Sequence, residues 1–281
     1  MEPELAAAYP RAAWRLLVNG SADGATNMAV DEAILLAVAE GIAPPSLRFY
    51  MWEPPCLSIG YSQSMSKEVD LEACRARGVS WVRRPTGGRA VLHTDELTYS
   101  IVAPQGEPRV AGGVVESYRR LSRGLLAGLH RLGAEAVQAQ KSYAKKPELA
   151  AACFDTPSKY EITVGGKKLV GSAQVRRQGV VLQHGSLPLF GDLARLFDYL
   201  RLESEGKRQA LRRVLRERAT TLEEVLGQAI PFDEVAKALA AGFAQALNLE
   251  LEPGQPTARE RDLAEKVRRE RYATDEWNFR R

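Results

Sequence analysis

The sequence predicts an α+β fold, with helices packed on a mixed or mostly antiparallel sheet. Helical patterning comes in three blocks, near residues 27–40, near 114–132 and from Asp192 onward, and β-like runs fill the two intervals between them. That order lacks the strict alternation of a doubly wound sheet. The 281 residues, with ordinary apolar content, are enough to bury a real core, either as one large domain or as one domain with an appendage.

Asn27 to Glu40, "NMAVDEAILLAVAE", reads as a helix capped by Asn27, with Asp31 and Glu32 early, apolar residues almost all round and Gly41 as its stop. A helix of that composition is buried. Short runs follow, "LRFYMW", "CLSIGY", "VSWVRR", "RAVLH" and "LTYSIVA", punctuated by Pro and Gly as strands of one sheet would be. Val114, Tyr118, Leu121, Leu125 and Leu129 recur at helical spacing, which predicts a helix over 114–132 ended by Gly133. After a polar stretch near Lys141 to Glu148, strand character returns in "KYEITV", "KKLVGSAQV" and "GVVLQHGSLPL". The "EPGQP" joint at Glu252 to Pro256 precedes a charged terminal helix over 257–272. The expected organisation is therefore a main domain over 10–250 and a helical tail over 251–281.

No apolar run approaches the roughly 20 residues that span a bilayer, and the first twenty residues lack a signal peptide's basic start and apolar centre. The expectation is a cytoplasmic protein that binds no membrane. Cys56, Cys74 and Cys153 are odd in number and widely spaced, with no C-x-x-C and no histidine at ligand spacing, which argues against a disulfide framework and against a bound metal. The net charge of +4 is modest, but Arg201 to Arg218 carries seven Lys/Arg against three Glu. That run fits a solvated helix face or a surface that steers an acidic partner. It has no interleaved aromatics for stacking on bases, so nucleic acid is not expected as a partner.

Three stretches could carry chemistry. In "RRPTGGRAVLH", Arg83 to His93, adjacent glycines allow close backbone approach to a bulky group flanked by Arg84 and Arg89; a tight turn with exposed arginines fits the spacing equally. It is neither a Walker A loop nor a dinucleotide fingerprint. A two-residue turn at Gly165 and Gly166 would set Thr163 opposite Lys168 and Glu161 opposite Val170. Ile162 and Val164 then share an apolar face with Leu169, Gly171 and Ala173, and Lys168, Ser172 and Gln174 share the polar one. By itself Lys168 reads as a solvated strand lysine or a catalytic one. Cys153 sits in "ACFDTPSKY", whose Asp155, Thr156, Pro157 and Ser158 favour a loop. A thiol there becomes a nucleophile only if nearby positive charge lowers its pKa of about 8.5, and the lysine of the next strand could supply that charge. His184, in "LQHGS", fits a satisfied core histidine as well as a functional one.

These motifs together resemble the lipoate-protein ligase and biotin-ligase-like acyltransferases. "VRRPTGGRAVLHTDELTYSIV" is similar to that family's signature, and "LRFYMWEPPCLSIGYSQ", "GGKKLVGSAQ", "LQHGSLPL" and "RYATDEWNF" extend the likeness from Trp14 to Phe279. The resemblance implies the biotin/lipoate A/B ligase-like catalytic fold. "CFD-x-PS-x-YE" resembles the octanoyltransferase branch, where ATP-using ligases carry an Arg-Asn-Asp element. It implies Cys153 as acyl-accepting nucleophile and Lys168 as its catalytic partner. Arg84, Thr86, Gly87, Gly88, His93, Ser172, Gln174 and His184 are implied to bind substrate, with the arginine pair lining the acyl pocket. Lys167 as a second basic residue and Ala90 in a glycine position are departures that remove no implied functional group. The implied partners are octanoyl-acyl carrier protein as donor and the glycine-cleavage H protein, or another lipoyl domain, as acceptor. No cofactor is implied. The alternatives are an ATP-dependent lipoate ligase, which leaves Cys153 idle, and a non-catalytic binder of lipoyl domains.

Overall fold

A computed structural model of the protein describes residues 9–139 and 161–281. An eight-stranded sheet forms its centre. In chain order the strands and helices are β1 (Ala12–Ala22), α1 (Gly24–Ala39), β2 (Ser46–Trp52), β3 (Cys56–Ile59), α2 (Met65–Glu68), α3 (Leu71–Ala76), β4 (Ser80–Arg83), β5 (Val91–His93), β6 (Glu96–Pro104) and α4 (Val114–Arg131). There follow β7 (Val137–Gln138), β8 (Ile162–Val164), β9 (Lys167–Arg177), β10 (Val180–Pro188), α5 (Glu205–Arg218), α6 (Leu222–Leu226), α7 (Phe232–Leu247), β11 (Leu249–Pro253), α8 (Ala258–Val267) and α9 (Asp275–Asn278). A 3-10 segment, Leu193–Tyr199, precedes α5, and a π turn, Arg268–Tyr272, extends α8.

The large sheet runs β11-β1-β2-β6-β10-β9-β8-β7 and a small one runs β4-β3-β5. Pairings of β1 with β11 and β2 are parallel and the rest of the large sheet is antiparallel, so the fold is α+β with a mixed sheet. Strand alternation sorts the core onto two faces. Ile101 and Val181 face a cluster with Leu121, Leu125, Leu239 and Phe243 of α4 and α7. Val102 and Leu182 face Ile34, Leu35 and Val38 of α1, on whose outer side α8 places Leu263 against Ala33 and Ala37. Among the described residues no helix is long and apolar enough to cross a membrane.

Several elements differ from the sequence expectation. Asp23, not Asn27, caps α1, accepting from Thr26 N at 2.9 Å. Asn27 lies one turn inside and is fully buried, its amide donating to Ala22 O and Met51 O at 3.1 and 2.9 Å. The C-terminal region is not helical throughout: β11 extends the large sheet beside β1, pairing Ala12 with Leu249 through to Leu16 with Pro253. Its "LELEP" alternation is too short to outweigh the helical pattern around it.

The Gly165–Gly166 turn forms, with φ of 55° and 80° where a side chain would be strained. Thr163 lies opposite Lys168. Beyond that pair β9 contains an extra residue, so Ile162, not Glu161, faces Val170. The bulge breaks the two-residue alternation and with it the separation into apolar and polar faces. Lys168, Leu169 and Val170 are all buried.

Candidate active site

Where the small sheet meets α1 and the middle of the large sheet, a cleft of about 440 Å³ opens. Met28, Tyr50, Trp52 and Val91 give it apolar walls, and Gly171 and Ala173 of β9 leave room along one side. The Trp52 and His93 rings stack at 3.9 Å with 10° between planes. Ser58, Arg84, Thr98, Ser172, His184 and Ser186 bring polar atoms to the same space.

Two buried histidines stand in hydrogen-bonded chains that end on carboxylates. His93 Nδ1 is 2.7 Å from Glu96 Oε1 and its Nε2 is 2.7 Å from Ser58 Oγ. Glu96 accepts only, so His93 donates to it from Nδ1. Ser58 Oγ accepts in turn from Arg84 Nη1 at 3.1 Å. Glu96 also receives Thr98 Oγ1 at 2.5 Å and the Ser186 hydroxyl. Burial would raise the Glu96 pKa, but the charge and hydrogen bond of His93, with the Ser186 and Thr98 hydroxyls, hold it below the usual range.

The second chain runs from Thr86 through His184 to Asp31. Thr86 Oγ1 lies 2.7 Å from His184 Nε2, and His184 Nδ1 faces Asp31 Oδ2 at 3.5 Å. Asp31, in the middle of α1, also accepts from Arg48 Nη1 at 2.7 Å, Tyr50 Oη at 2.9 Å and Ser100 Oγ at 2.8 Å. Burial acts to raise the Asp31 pKa and Arg48 overcomes it, so the carboxyl stays ionised. Burial pushes the His184 pKa down against the pull of Asp31. His184 is therefore neutral, with its proton on Nδ1 and the Thr86 hydroxyl donating to Nε2. Ser172 Oγ is 2.7 Å from Tyr99 Oη, a phenol that burial pushes up to about 12 and that accepts from Gln183 Nε2 at 2.9 Å.

The two adjacent arginines point different ways. Arg84 faces the cleft and donates to Gly87 O and Arg89 O at 2.8 and 2.7 Å, which folds the glycine turn back on itself. Arg83 is fully buried and lines neither cleft, correcting the expectation that the pair shares the acyl pocket. It donates to Gln63 O, Tyr61 O, Trp277 O and Asn278 O at 2.7 to 3.0 Å, and so ties the C-terminal helix to the signature loop. Gly60 packs under the same turn, and a Cβ there would lie 2.1 Å from Gly88 O. Gly88 itself has φ of 97°. Both positions need glycine for the turn to close.

Lys168 is buried and its Nζ donates to Glu161 Oε1 at 2.6 Å. It is thus not a solvated strand lysine. It is not among the residues that line the cleft, which β9 enters at Gly171, three residues farther on. Lys167, by contrast, is partly exposed and donates to Arg216 O at 3.0 Å. Cys153 lies outside the described residues. The other two thiols are buried, and burial pushes Cys56 up to about 12 and Cys74 to about 11, so neither is a thiolate at neutral pH.

A second, larger cleft of about 1130 Å³ adjoins the first. The two share their framework: β9 lines the first with Gly171 to Ala173 and the second with Gln174 to Arg177, and the turn contributes Arg84 to the first and Pro85 and Gly87 to the second. Arg84, His93, Ser172 and His184 thus converge on the first cleft, Thr86 through its bond to His184, and Gly87 and Gln174 on the second.

The sequence matches the lipoyl protein ligase A/B catalytic domain over residues 23–244. The protein belongs to that family. Among lipoyl ligase relatives, the octanoyltransferase LipM of Kyrpidia tusciae is 52% identical over 272 residues, covering 95% of this chain and 99% of the relative. LipM of Bacillus subtilis is 41% identical over 274 residues, covering 95% and 98%. A bipartite lipoate protein ligase of Thermoplasma acidophilum superposes with a TM-score of 0.80 at 27% identity, over 96% of this chain and 97% of that one. Lipoate-protein ligase A bound with ATP does so with a TM-score of 0.78 at 27% identity, over 95% and 98%.

Sequence reasoning missed Asp31, Arg48, Glu96 and Glu161 as parts of this candidate site. A signal existed for the first. A helix apolar almost all round that carries an aspartate must pair it, since an isolated buried carboxylate is prohibitively costly. Glu96, three residues after His93, is an orienting carboxylate only because the chain bends at Thr94 and Asp95 between β5 and β6.

Proposed function

We propose that this protein is an octanoyltransferase of lipoate synthesis. In this reading it takes an octanoyl group from octanoyl-acyl carrier protein, holds it as a thioester on Cys153, and delivers it to a lysine of a lipoyl domain, that of the glycine-cleavage H protein. The observation that carries the reading is the narrow apolar cleft walled by Met28, Tyr50, Trp52 and Val91, closed by polar groups already paired with one another. An eight-carbon chain has six methylenes to bury, contributing about 5 kcal/mol at ~0.8 kcal/mol each. The LipM relatives are named octanoyltransferases, which supports the octanoyl transfer in this reading.

The chemistry is ping-pong. The Cys153 thiolate attacks the donor's thioester carbon, the C–S bond to the carrier breaks, and the carrier leaves as a thiol once protonated. The acceptor amine then attacks the Cys153 thioester, loses a proton and expels the thiolate. One thioester replaces another in the first step and an amide replaces a thioester in the second, so no ATP is required. Lys168 supplies positive charge to the thiolate and the developing oxyanion, held in position by its ion pair with Glu161.

Intact mass spectrometry after mixing the protein with octanoyl-acyl carrier protein tests this. One octanoyl adduct, released by hydroxylamine and mapped to the Cys153 peptide, is expected, and Cys153→Ala abolishes it. Product that accumulates without an adduct, or only with ATP, would instead support the ligase reading favoured by the likeness to lipoate-protein ligase A bound with ATP.

A further inference from the structure

The second cleft has a charge pattern that the acyl reaction leaves unexplained. Arg176, Arg177, Arg271 and Arg280 line it, and among the described residues Glu32 is the single carboxylate there. Arg177 and Arg271 both pair with Glu32, which Tyr272 Oη also holds at 2.6 Å. Among the described residues Arg176 donates only to neutral groups, among them Gln174 Oε1 at 3.0 Å, Val110 O at 3.0 Å and Ser117 Oγ at 2.9 Å. The Arg280 guanidinium lies on the faces of Tyr61 and Trp277, at 3.8 and 4.5 Å from their centroids, and meets no carboxylate among the described residues. The resulting field reaches its neighbours. Arg83 is pushed down to about 10, by burial and then by Arg280 and Arg281, and the Tyr61 phenol is lowered chiefly by its hydrogen bond to Arg280. Guanidiniums held in place by neutral partners and aromatic faces are preorganised for an anion.

The position of this charge narrows what the anion is. β9 passes without interruption from the apolar cleft to the arginine cleft, and from Ser172 to Arg176 is four strand residues, roughly 13 Å. A ligand filling both carries an apolar acyl group at one end, an extended and mostly neutral polar arm along the strand, and an anionic group at the other end. We propose that the arginine cleft binds the phosphodiester of a 4′-phosphopantetheine arm, whose thioester-linked acyl group occupies the apolar cleft. This rests on the reading that the donor is a carrier-bound thioester. It adds a distinct binding site, built by residues from β9 and the C-terminal segment. The arm itself is recognised at its phosphate, so the enzyme distinguishes a phosphopantetheine thioester from octanoyl thioesters that lack the phosphate before any contact between proteins is made.

The test uses the full chain and three donors: octanoyl-4′-phosphopantetheine, octanoyl-pantetheine, which lacks the phosphate, and octanoyl-N-acetylcysteamine, which lacks most of the arm. Acylation is followed by intact mass, and kcat/KM is compared among donors. The phosphorylated donor is expected to exceed octanoyl-pantetheine by on the order of tenfold, the scale of a charge-assisted hydrogen bond. That ratio should fall with added salt and should approach one in the Arg176→Gln/Arg280→Gln double variant, whose melting temperature is checked beside the parent. Equal use of the two pantetheine donors by the parent overturns the inference while leaving the octanoyltransferase reading intact, and so does a ratio that the double variant preserves. Acylation by none of the three removes the donor reading and the inference with it. Binding of ATP that is lost in the double variant, with no phosphate preference among the thioesters, assigns the arginines to a nucleotide and also overturns the proposal.

Discussion

The two clefts share a strand and a turn, yet they treat charge in opposite ways. Behind the apolar cleft the two buried carboxylates are answered within the protein, Asp31 by Arg48 and Glu96 by His93 and two hydroxyls, and Arg84 in its wall donates to Ser58 and to the carbonyls of the glycine turn. Among the described residues the adjoining cleft is lined by four guanidiniums and one carboxylate, Glu32, which pairs with two of them. The difference teaches where charge is structural and where it is available. A buried charge must be paired for the chain to fold, because desolvation is otherwise uncompensated, whereas water solvates a charge at an open cleft until a ligand replaces it. The basic run of α5 resembles neither case. Arg208, Arg212 and Arg216 pair with Glu205, Asp198 and Asp192 at the surface, so density of arginine along the sequence overstates the charge on offer.

This contrast can be broken or sharpened by substitution. The largest effect is expected for Asp31→Ala, which leaves Arg48 buried without its partner and removes the acceptor of Tyr50 and Ser100. Urea denaturation should show a loss of about 3–5 kcal/mol. A loss no greater than that of Arg280→Gln would erase the distinction between the two clefts. Next comes Asn278→Ala, which removes the acceptor of Arg83 N at 2.8 Å and donors to Tyr272 O and Thr274 O at 3.0 and 2.9 Å. The expected cost is about 1–3 kcal/mol. Because Trp277 and Arg280 flank this latch, the phosphate preference should weaken in parallel.

A shallower effect is spread over pH. His184 is neutral because burial lowers its pKa, so the unfolded chain takes up a proton first and stability declines as pH falls below about 6.5. Asp31 and Glu96 have depressed values in spite of burial. Their contribution is complete above the unfolded carboxylate range near 4 and is lost as pH falls through the folded values. Thermal melts from pH 7.5 to 3 should therefore decline in two limbs, and His184→Gln should flatten the upper limb alone. A single limb below pH 4.5 in the parent would mean that His184 titrates normally. The smallest effect is expected on α5, where Arg212→Gln removes a partly exposed pair with Asp198 and should cost about 0.2–1 kcal/mol. Its effect on the phosphate preference should be small beside that of the cleft arginines.

Local pattern carried much of the architecture. Val114–Arg131 is helical because its apolar residues recur at one helical face, the five short strands from Ser46 to Pro104 follow the breaks set by Pro and Gly, and the Gly165–Gly166 turn follows from two residues free to adopt positive φ. From that turn the pairing of Thr163 with Lys168 could be counted directly. What could not be counted was the bulge beyond it. An extra residue in β9 is accepted because both faces of that strand are covered, and coverage is a property of the packed molecule. The same holds for β11, five residues whose alternation acquires meaning only beside β1.

The sequence by itself determined the residue types of the site, a glycine turn flanked by arginines, two histidines in apolar strands and a lysine after a tight hairpin, because these are matters of local chemistry and spacing. Tertiary structure alone decided their partners. It sent Arg83 to the C-terminal segment and Arg84 to the cleft, joined His184 to an aspartate more than 150 positions earlier, and gathered arginines from β9 and the last turns around one carboxylate. Partnership across such separations depends on which strands lie side by side. The free energy that sets that order is summed over the whole core and is not resolved in any one stretch of chain.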